Sequence, residues 1–273
     1  MTTLRAGLIG EHISRTRLPA ALRIMCDHAG LDLDFTLFDT AEIEDFDFDT
    51  TLDMARQDGW TGMTVTHPFK TMARDYAAGG MEEGVAHLGA CNTLVFGAGV
   101  AGHNTDYTGF LAAFAAHAIA PGTVVMMGAG GVAQALAPAL MELGATHLAI
   151  CDTDPARAAA LAAGCGAEPV ALADAPGFVA RADGLVNATP LGMAEYPGSA
   201  FPAATLGPQR WAFDAVYTPT RTAFLQDSAA AGLHCITGFE LFRAMALRSF
   251  EAYTGLALPA DEILPLLDRL KPE

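Results

Sequence analysis

Val124-Val-Met-Met-Gly128-Ala-Gly-Gly-Val-Ala133 is the stretch that decides the fold. Four successive apolar residues predict a buried strand, and residues 132–143 read as a helix, so a glycine-dense turn joins strand directly to helix. The spacing is Gly-x-Gly-x-x-Ala. In this setting the pattern is a dinucleotide fingerprint: Gly128 permits the tight turn, Gly130 lets the backbone approach a pyrophosphate, and Ala133 keeps helix and strand close, while the helix N-terminus favours the anion. The alternative is an ordinary glycine-rich strand-to-helix turn.

The next strand is expected over 147–151 and the next helix over 154–163. Asp152 closes that strand, close to the roughly 20-residue offset at which such a fingerprint places its ribose-binding acid. A carboxylate there accepts hydrogen bonds from both ribose hydroxyls but repels a 2′-phosphate, and no Arg lies within Thr153-Asp-Pro155. NAD is therefore expected over NADP. The other role open to Asp152 is capping the following helix, which Thr153 or Asp154 could also do.

Outward from this core the same alternation continues. Strands are predicted over 6–9, 35–38, 62–66, 92–96, 184–187 and 212–216, and helices over 18–30, 50–57, 107–118 and 222–231, with helical sequence after Gly238. A further helix is expected to begin at Pro68, whose missing N–H costs nothing in a first turn, and to carry Lys70. Strands alternating with helices define the α/β class, with parallel sheets and crossover helices. At 273 residues the chain exceeds the roughly 100–200 residues of one domain, so two domains are expected. The glycine-dense run 97–102 marks the passage from the first to the second.

Composition narrows the partners. With 52% apolar and 17% charged residues, disorder is excluded as the main state. Fifteen Lys+Arg against 31 Asp+Glu give a formal charge of −16, the wrong sign for nucleic acid or an anionic membrane, though one or two local cations still suffice for a small anion. No apolar run approaches the roughly 20 residues of a spanning helix, and the N-terminus lacks a secretory pattern, so a cytoplasmic protein is expected. Five scattered cysteines without Cys-x-x-Cys spacing read as reduced thiols, and the eight histidines show no zinc-type spacing. A homodimer would leave no mark in a single sequence.

Two residues occupy marked positions. Thr64-Val-Thr66-His-Pro-Phe-Lys70 places Thr66 and Lys70 at the carboxyl end of a strand, where open α/β sheets bind ligands. A cation in a first helical turn opposes the helix dipole, so Lys70 is costly there unless it serves function or is screened by solvent. Asp106 falls just before a predicted helix, where N-capping is its plain explanation.

Taken in order, Thr-Val-Thr-His-Pro-Phe-Lys70, Gly89-Ala-Cys-Asn92-Thr93, Asn104-Thr-Asp106, Gly128-Ala-Gly-Gly131, Asn187-Ala-Thr-Pro-Leu-Gly-Met193 and Asp214-Ala-Val-Tyr217-Thr-Pro resemble the shikimate/quinate dehydrogenase family, over about residues 6–255. The resemblance implies a discontinuous substrate domain, 1–101 with 238–273, a Rossmann-like NAD-binding domain over 102–237, and a cleft where they meet. It implies a lysine–aspartate catalytic pair at Lys70 and Asp106, acting on a ring secondary alcohol of a small cyclic hydroxy acid. Thr16, Thr64, Thr66, Asn92, Tyr217 and Met245 fall at its substrate positions. The cofactor positions are Gly128, Ala129, Gly130, Gly131, Val132, Asp152, Thr189, Ala215 and Gly238. No metal is required.

The sequence also departs from the family. Leu18 replaces the second of two hydroxyl residues in the carboxylate grip, Thr64 stands where many members carry Asn, and Met245 where Gln is usual. The pocket is accordingly less polar, and losing a buried polar partner can cost roughly 1–3 kcal/mol, enough to change which substrate is accepted. Arg15 and Arg17 could replace a lost donor, but in an extended segment with Thr16 facing the pocket both would point away. The rival readings are a paralogue acting on a different cyclic polyol acid and a non-catalytic NAD-binding sensor, which would have no need of Lys70 and Asp106.

Overall fold

The computed structural model describes residues 2–272, and these divide into two compact units, 2–109 with 243–270, and 110–242 with 271–272. The first contains β1 (Thr3–Gly10), α1 (Leu18–Ala29), β2 (Asp32–Asp39), α2 (Phe48–Gln57), β3 (Gly62–Val65), α3 (Lys70–Tyr76), β4 (Thr93–Phe96) and β5 (Val100–His103). Its sheet has the order β2-β1-β3-β4-β5, parallel across the first three strands and antiparallel across the last three. The chain passes from this unit to the second within α4 (Thr105–Ala115).

The second unit holds β6 (Thr123–Met127), α5 (Ala133–Glu142), β7 (His147–Cys151), α6 (Pro155–Cys165), β8 (Glu168–Pro169), α7 (Ala175–Val179), β9 (Gly184–Asn187), β10 (Trp211–Asp214), α8 (Ala223–Ala230) and β11 (His234–Thr237). Its strands form one parallel sheet, β11-β10-β9-β6-β7-β8. The return to the first unit lies within α9 (Gly238–Thr254), and α10 (Ala260–Leu267) follows. This is the α/β architecture expected: an N-terminal unit with a mixed sheet, a Rossmann-like unit with a parallel sheet, and C-terminal helices in the first.

Local sequence explains much of it. Val124, Val125 and Met126 are fully buried at the centre of the second sheet, and burying each such side chain contributes about 1.5–3 kcal/mol. The α6 helix opens with Asp154, whose side chain accepts the Ala156 N–H, has Pro155 in its first turn and closes on left-handed Gly166. Asp154 therefore supplies the cap that was one reading of Asp152.

Three expectations need correction. Residues 97–102 are not an interdomain passage: Val100–His103 folds back as β5 against β4, with Gly102 so close to Met81 and Ala77 that no Cβ fits. The boundary consequently moves to residue 109. Pro68 does not start a helix, because the Phe69 N–H bonds the Thr66 carbonyl in an intervening turn and α3 begins at Lys70. Asp106 sits inside the first turn of α4 rather than before it; the cap is Asn104, whose Oδ1 accepts the Tyr107 N–H at 3.1 Å. Among the described residues no helix is long and apolar enough to cross a membrane.

Candidate active site

In the first unit, the carboxyl end of β3 is the organising point. The Val65 N–H bonds the Asn92 carbonyl, and the Cys91 N–H bonds the Lys70 carbonyl, so the segment before β4 is laced to the start of α3. Asn92 is buried, and its Oδ1 accepts three bonds, from the Thr105 N–H (2.7 Å), the Thr105 hydroxyl (3.1 Å) and the Thr93 hydroxyl (3.1 Å). That leaves its amide Nδ2–H₂ as the donor for a ligand. The same Asn92–Thr105 contact fixes the start of α4 and so delivers Asp106 to Lys70.

Lys70 Nζ lies 2.6 Å from Asp106 Oδ2, with the two side chains 18% and 15% exposed. A charge that would oppose the dipole of α3 alone is thus compensated from α4. Cys91, between these residues in sequence, is no rival nucleophile: burial pushes its thiol up to about 11, so it stays protonated.

The loops after β1 and β3 adjoin, the Glu11 N–H bonding the His67 carbonyl at 3.0 Å and Gly10 leaving space for the Thr66 methyl. Thr16 belongs to that first loop. The expectation of an extended segment here is wrong: the Thr16 N–H bonds the Ile13 carbonyl, Arg17 has helical φ and ψ, and Thr16 Oγ1 accepts the Leu18 N–H at 3.3 Å. Side-chain alternation therefore does not orient Arg15 and Arg17. Leu18 is buried in the first turn of α1.

A helical face completes this wall. Met245, Ser249 and Tyr253 recur every four residues along α9 and so share one side of it. The Ser249 hydroxyl bonds Thr105 Oγ1 (3.0 Å) and Met245 Sδ (3.6 Å), while the Tyr253 hydroxyl bonds Thr64 Oγ1 (2.5 Å). Met245 also packs against Gly109, where a Cβ would fall 2.7 Å from its backbone nitrogen. Thr105, Ser249 and Tyr253 were not singled out from sequence, although the four-residue spacing from Met245 was there to be read.

In the second unit the loops after β6 and β9 meet at the point where the strand order reverses, the usual ligand position in open parallel sheets. Gly128 has φ +103°, and a Cβ there would lie 2.6 Å from the Ala188 carbonyl oxygen. Asn187 Oδ1 holds Thr189 by its N–H (3.0 Å) and hydroxyl (2.6 Å). Asp214 is fully buried and accepts from the Thr222 hydroxyl, the Val216 N–H and Asn187 Nδ2; burial nonetheless raises its pKa to about 6. Gly238 allows α9 to start against the Ala215 carbonyl, 2.5 Å from where a Cβ would sit. Tyr217 lies in this unit, away from the other substrate candidates in sequence, and stacks on Phe242 at 5.4 Å.

The loop fits a dinucleotide. At Gly130 and Gly131 an added Cβ would meet nothing within 4 Å, so protein packing is not what excludes a side chain there. Among the described residues no acceptor takes the N–H groups of Gly130, Gly131 and Val132, which lead into α5 as an anion cradle requires. Asp152 Oδ2 accepts the Ala129 N–H at 2.6 Å, and Oδ1 accepts the Asp154 N–H at 2.8 Å. Burial alone would raise its pKa, but these bonds, the Thr153 hydroxyl and the charge of Arg157 outweigh it and hold it below the usual carboxylate range. Arg157 lies two residues beyond Thr153-Asp-Pro155, and only the turn of the chain into α6 brings its charge to bear on Asp152. Among the described residues no cluster of His, Cys, Asp or Glu is placed to hold a metal.

In the second unit, the parallel sheet with its glycine loop at the strand-order reversal has the form of a Rossmann-like nucleotide-binding fold. The comparisons make this specific. The model of the shikimate dehydrogenase substrate binding domain matches residues 8–94. The quinate/shikimate dehydrogenase (NAD(+)) of Corynebacterium efficiens is 38% identical over 268 residues, covering 92% of each chain. The shikimate dehydrogenase (NADP(+)) of Streptomyces avermitilis is 37% identical over 263 residues, covering 91% of this chain and 89% of its own. Among solved structures, the quinate dehydrogenase of Corynebacterium glutamicum in complex with NAD superposes with a TM-score of 0.91 at 32% identity, covering 97% of this chain and 98% of its own. The chain belongs to the shikimate/quinate dehydrogenase family.

Proposed function

We propose that this protein is an NAD-dependent oxidoreductase that interconverts the ring secondary alcohol and ketone of a small cyclic hydroxy acid of the quinate or shikimate type. The observation that carries the reading is the 2.6 Å pair between Lys70 Nζ and Asp106 Oδ2, held from two helices at the carboxyl end of β3. A bound nicotinamide cofactor supplies the hydride acceptor or donor. Lys70 handles the proton: its neutral amine takes the alcohol O–H proton during oxidation, and its ammonium returns it during reduction. Asp106 orients Lys70 through Oδ2, so that the amine rather than the carboxylate receives the single proton of the reacting hydroxyl. Asn92 Nδ2 and the hydroxyls of Thr16, Thr64 and Thr66 hold the remaining oxygens of the acid, with Tyr217 as a further contact.

For the cofactor, Gly128 to Val132 cradle the pyrophosphate, Thr189, Ala215 and Gly238 border its site, and Asp152 binds the adenosine ribose. The ionised state of Asp152 supports NAD over NADP. A variant reading, a cyclic polyol acid presenting a less polar face, is favoured by Met245, whose sulfur accepts the Ser249 hydroxyl where an amide would offer donors. The test is turnover of quinate and shikimate, each with NAD and NADP, followed by the absorbance of the reduced nicotinamide. The expected result is a higher kcat/KM with NAD; no turnover of either acid, or preference for NADP, overturns the corresponding assignment.

A further inference from the structure

The Tyr253 hydroxyl is deeply buried at the end of the Met245–Ser249–Tyr253 face. Its ring lies so near β3 that a Cβ on Gly62 would fall 2.7 Å from Cε1, and its oxygen is 2.5 Å from Thr64 Oγ1. Among the described residues this is the only hydrogen bond of either hydroxyl. Each group brings one proton, and only one of the two can lie between them. If Thr64 donated, the phenolic O–H would be stranded in the core, one of the costlier arrangements a fold can adopt. The phenol is also the more acidic partner and hence the better donor, and burial keeps it protonated. Tyr253 therefore donates, and the Thr64 proton must find its acceptor elsewhere.

Thr64 pairs across the sheet with Thr93, whose hydroxyl donates to Asn92 Oδ1 and lies 3.2 Å from Thr105 Oγ1, in the wall that also carries Asp106. We infer that Tyr253 is a positioning residue for substrate recognition: by donating to Thr64 Oγ1 it commits the Thr64 hydroxyl proton to an oxygen of the cyclic acid. This rests on the reading of that wall as the acid-binding site. A threonine without such a donor can rotate its hydroxyl to suit several acceptors; with one lone pair occupied, Thr64 becomes a donor of defined direction. The short Thr64 side chain and the long Tyr253 thus work as one unit at a position where many relatives use a single amide.

The test is a double-mutant cycle in the full-length enzyme with saturating NAD, using whichever of quinate and shikimate the wild type turns over. Tyr253→Phe is expected to raise KM for the acid about 3–10-fold, the scale of one net hydrogen bond, with kcat and KM for NAD unmoved. In a Thr64→Val background the same substitution should add nothing, whereas in Thr64→Ser, which keeps the hydroxyl, the KM response should persist. An unchanged KM in Tyr253→Phe, or an equal response with Val at 64, overturns the inference while leaving the proposed activity intact. Absence of wild-type turnover with either acid overturns both.

Discussion

Lys70 Nζ and Asp106 Oδ2, 36 residues apart in the chain, stand 2.6 Å from each other in the first unit. Replacing the lysine by an isosteric apolar side chain removes the proposed proton acceptor without emptying the site. Lys70→Met is therefore expected to lower kcat by about 10²–10⁴-fold while NAD binding is retained, with Asp106→Asn giving a smaller loss. Steady-state kinetics alongside NAD titration check this, and a Lys70→Met enzyme with wild-type kcat would remove Lys70 from the mechanism.

In the proposed function, cofactor choice depends on Asp152. Asp152→Ser takes away the proposed ribose acceptors and a negative charge that would oppose a 2′-phosphate, and it leaves Arg157 without its neighbouring anion. KM for NAD should rise about tenfold or more, and the ratio of kcat/KM for NAD to that for NADP should fall. An unaltered ratio would mean that Asp152 serves only to tie the glycine loop.

Two glycines in one loop should respond differently. Gly128→Ala forces a Cβ onto the Ala188 carbonyl at positive φ and should destabilise the fold by about 1–3 kcal/mol, read as a lower Tm. Gly130→Ala meets no protein atom and should keep its Tm while weakening NAD binding. Equal behaviour of the two in Tm and in NAD titration would contradict the cradle.

The buried carboxyl of Asp214 sets a pH dependence. Because its folded pKa, about 6, lies above the unfolded value of 3.8, the folded state binds the extra proton between them. Its contribution to stability is thus fully present below about pH 4 and declines as pH rises through 6. Asp214→Asn should flatten that component of the Tm profile between pH 4 and 6; a profile identical to wild type would show that the group titrates normally.

Met245 offers a test of selectivity. Met245→Gln introduces amide donors beside Ser249, and KM for the more hydroxylated of two cyclic acids should fall relative to the other by about 3–10-fold. An equal change for both acids in a side-by-side kinetic comparison would remove Met245 from substrate discrimination.

The short-range features were legible in the chain itself. A run of apolar residues entering Gly128-Ala-Gly130 and leaving as a helix admits one local geometry, because the turn chemistry and the burial of Val124 to Met127 agree. The order of strands and helices and the residues to suspect followed from the same local rules, together with the resemblance carried by six motifs. Where local rules competed, the sequence misled. The run 97–102 carries the glycines of a linker, yet from Val100 onward it pairs with β4 as a strand, and Asn104 rather than Asp106 caps α4 because Asn104 precedes the first helical residue.

What sequence alone determined, then, was the α/β class and the glycine loop, with Lys70, Asp106 and Asp152 as candidates for the site. Tertiary structure alone decided which groups are engaged: Asp106 with Lys70, Asp152 with Ala129, Ser249 with Thr105, and Tyr253 with Thr64. The last pair spans 189 positions. No spacing rule reaches that far, because such contacts are set by the packing of whole helices and strands, which brings together side chains whose neighbours in sequence give no sign of each other.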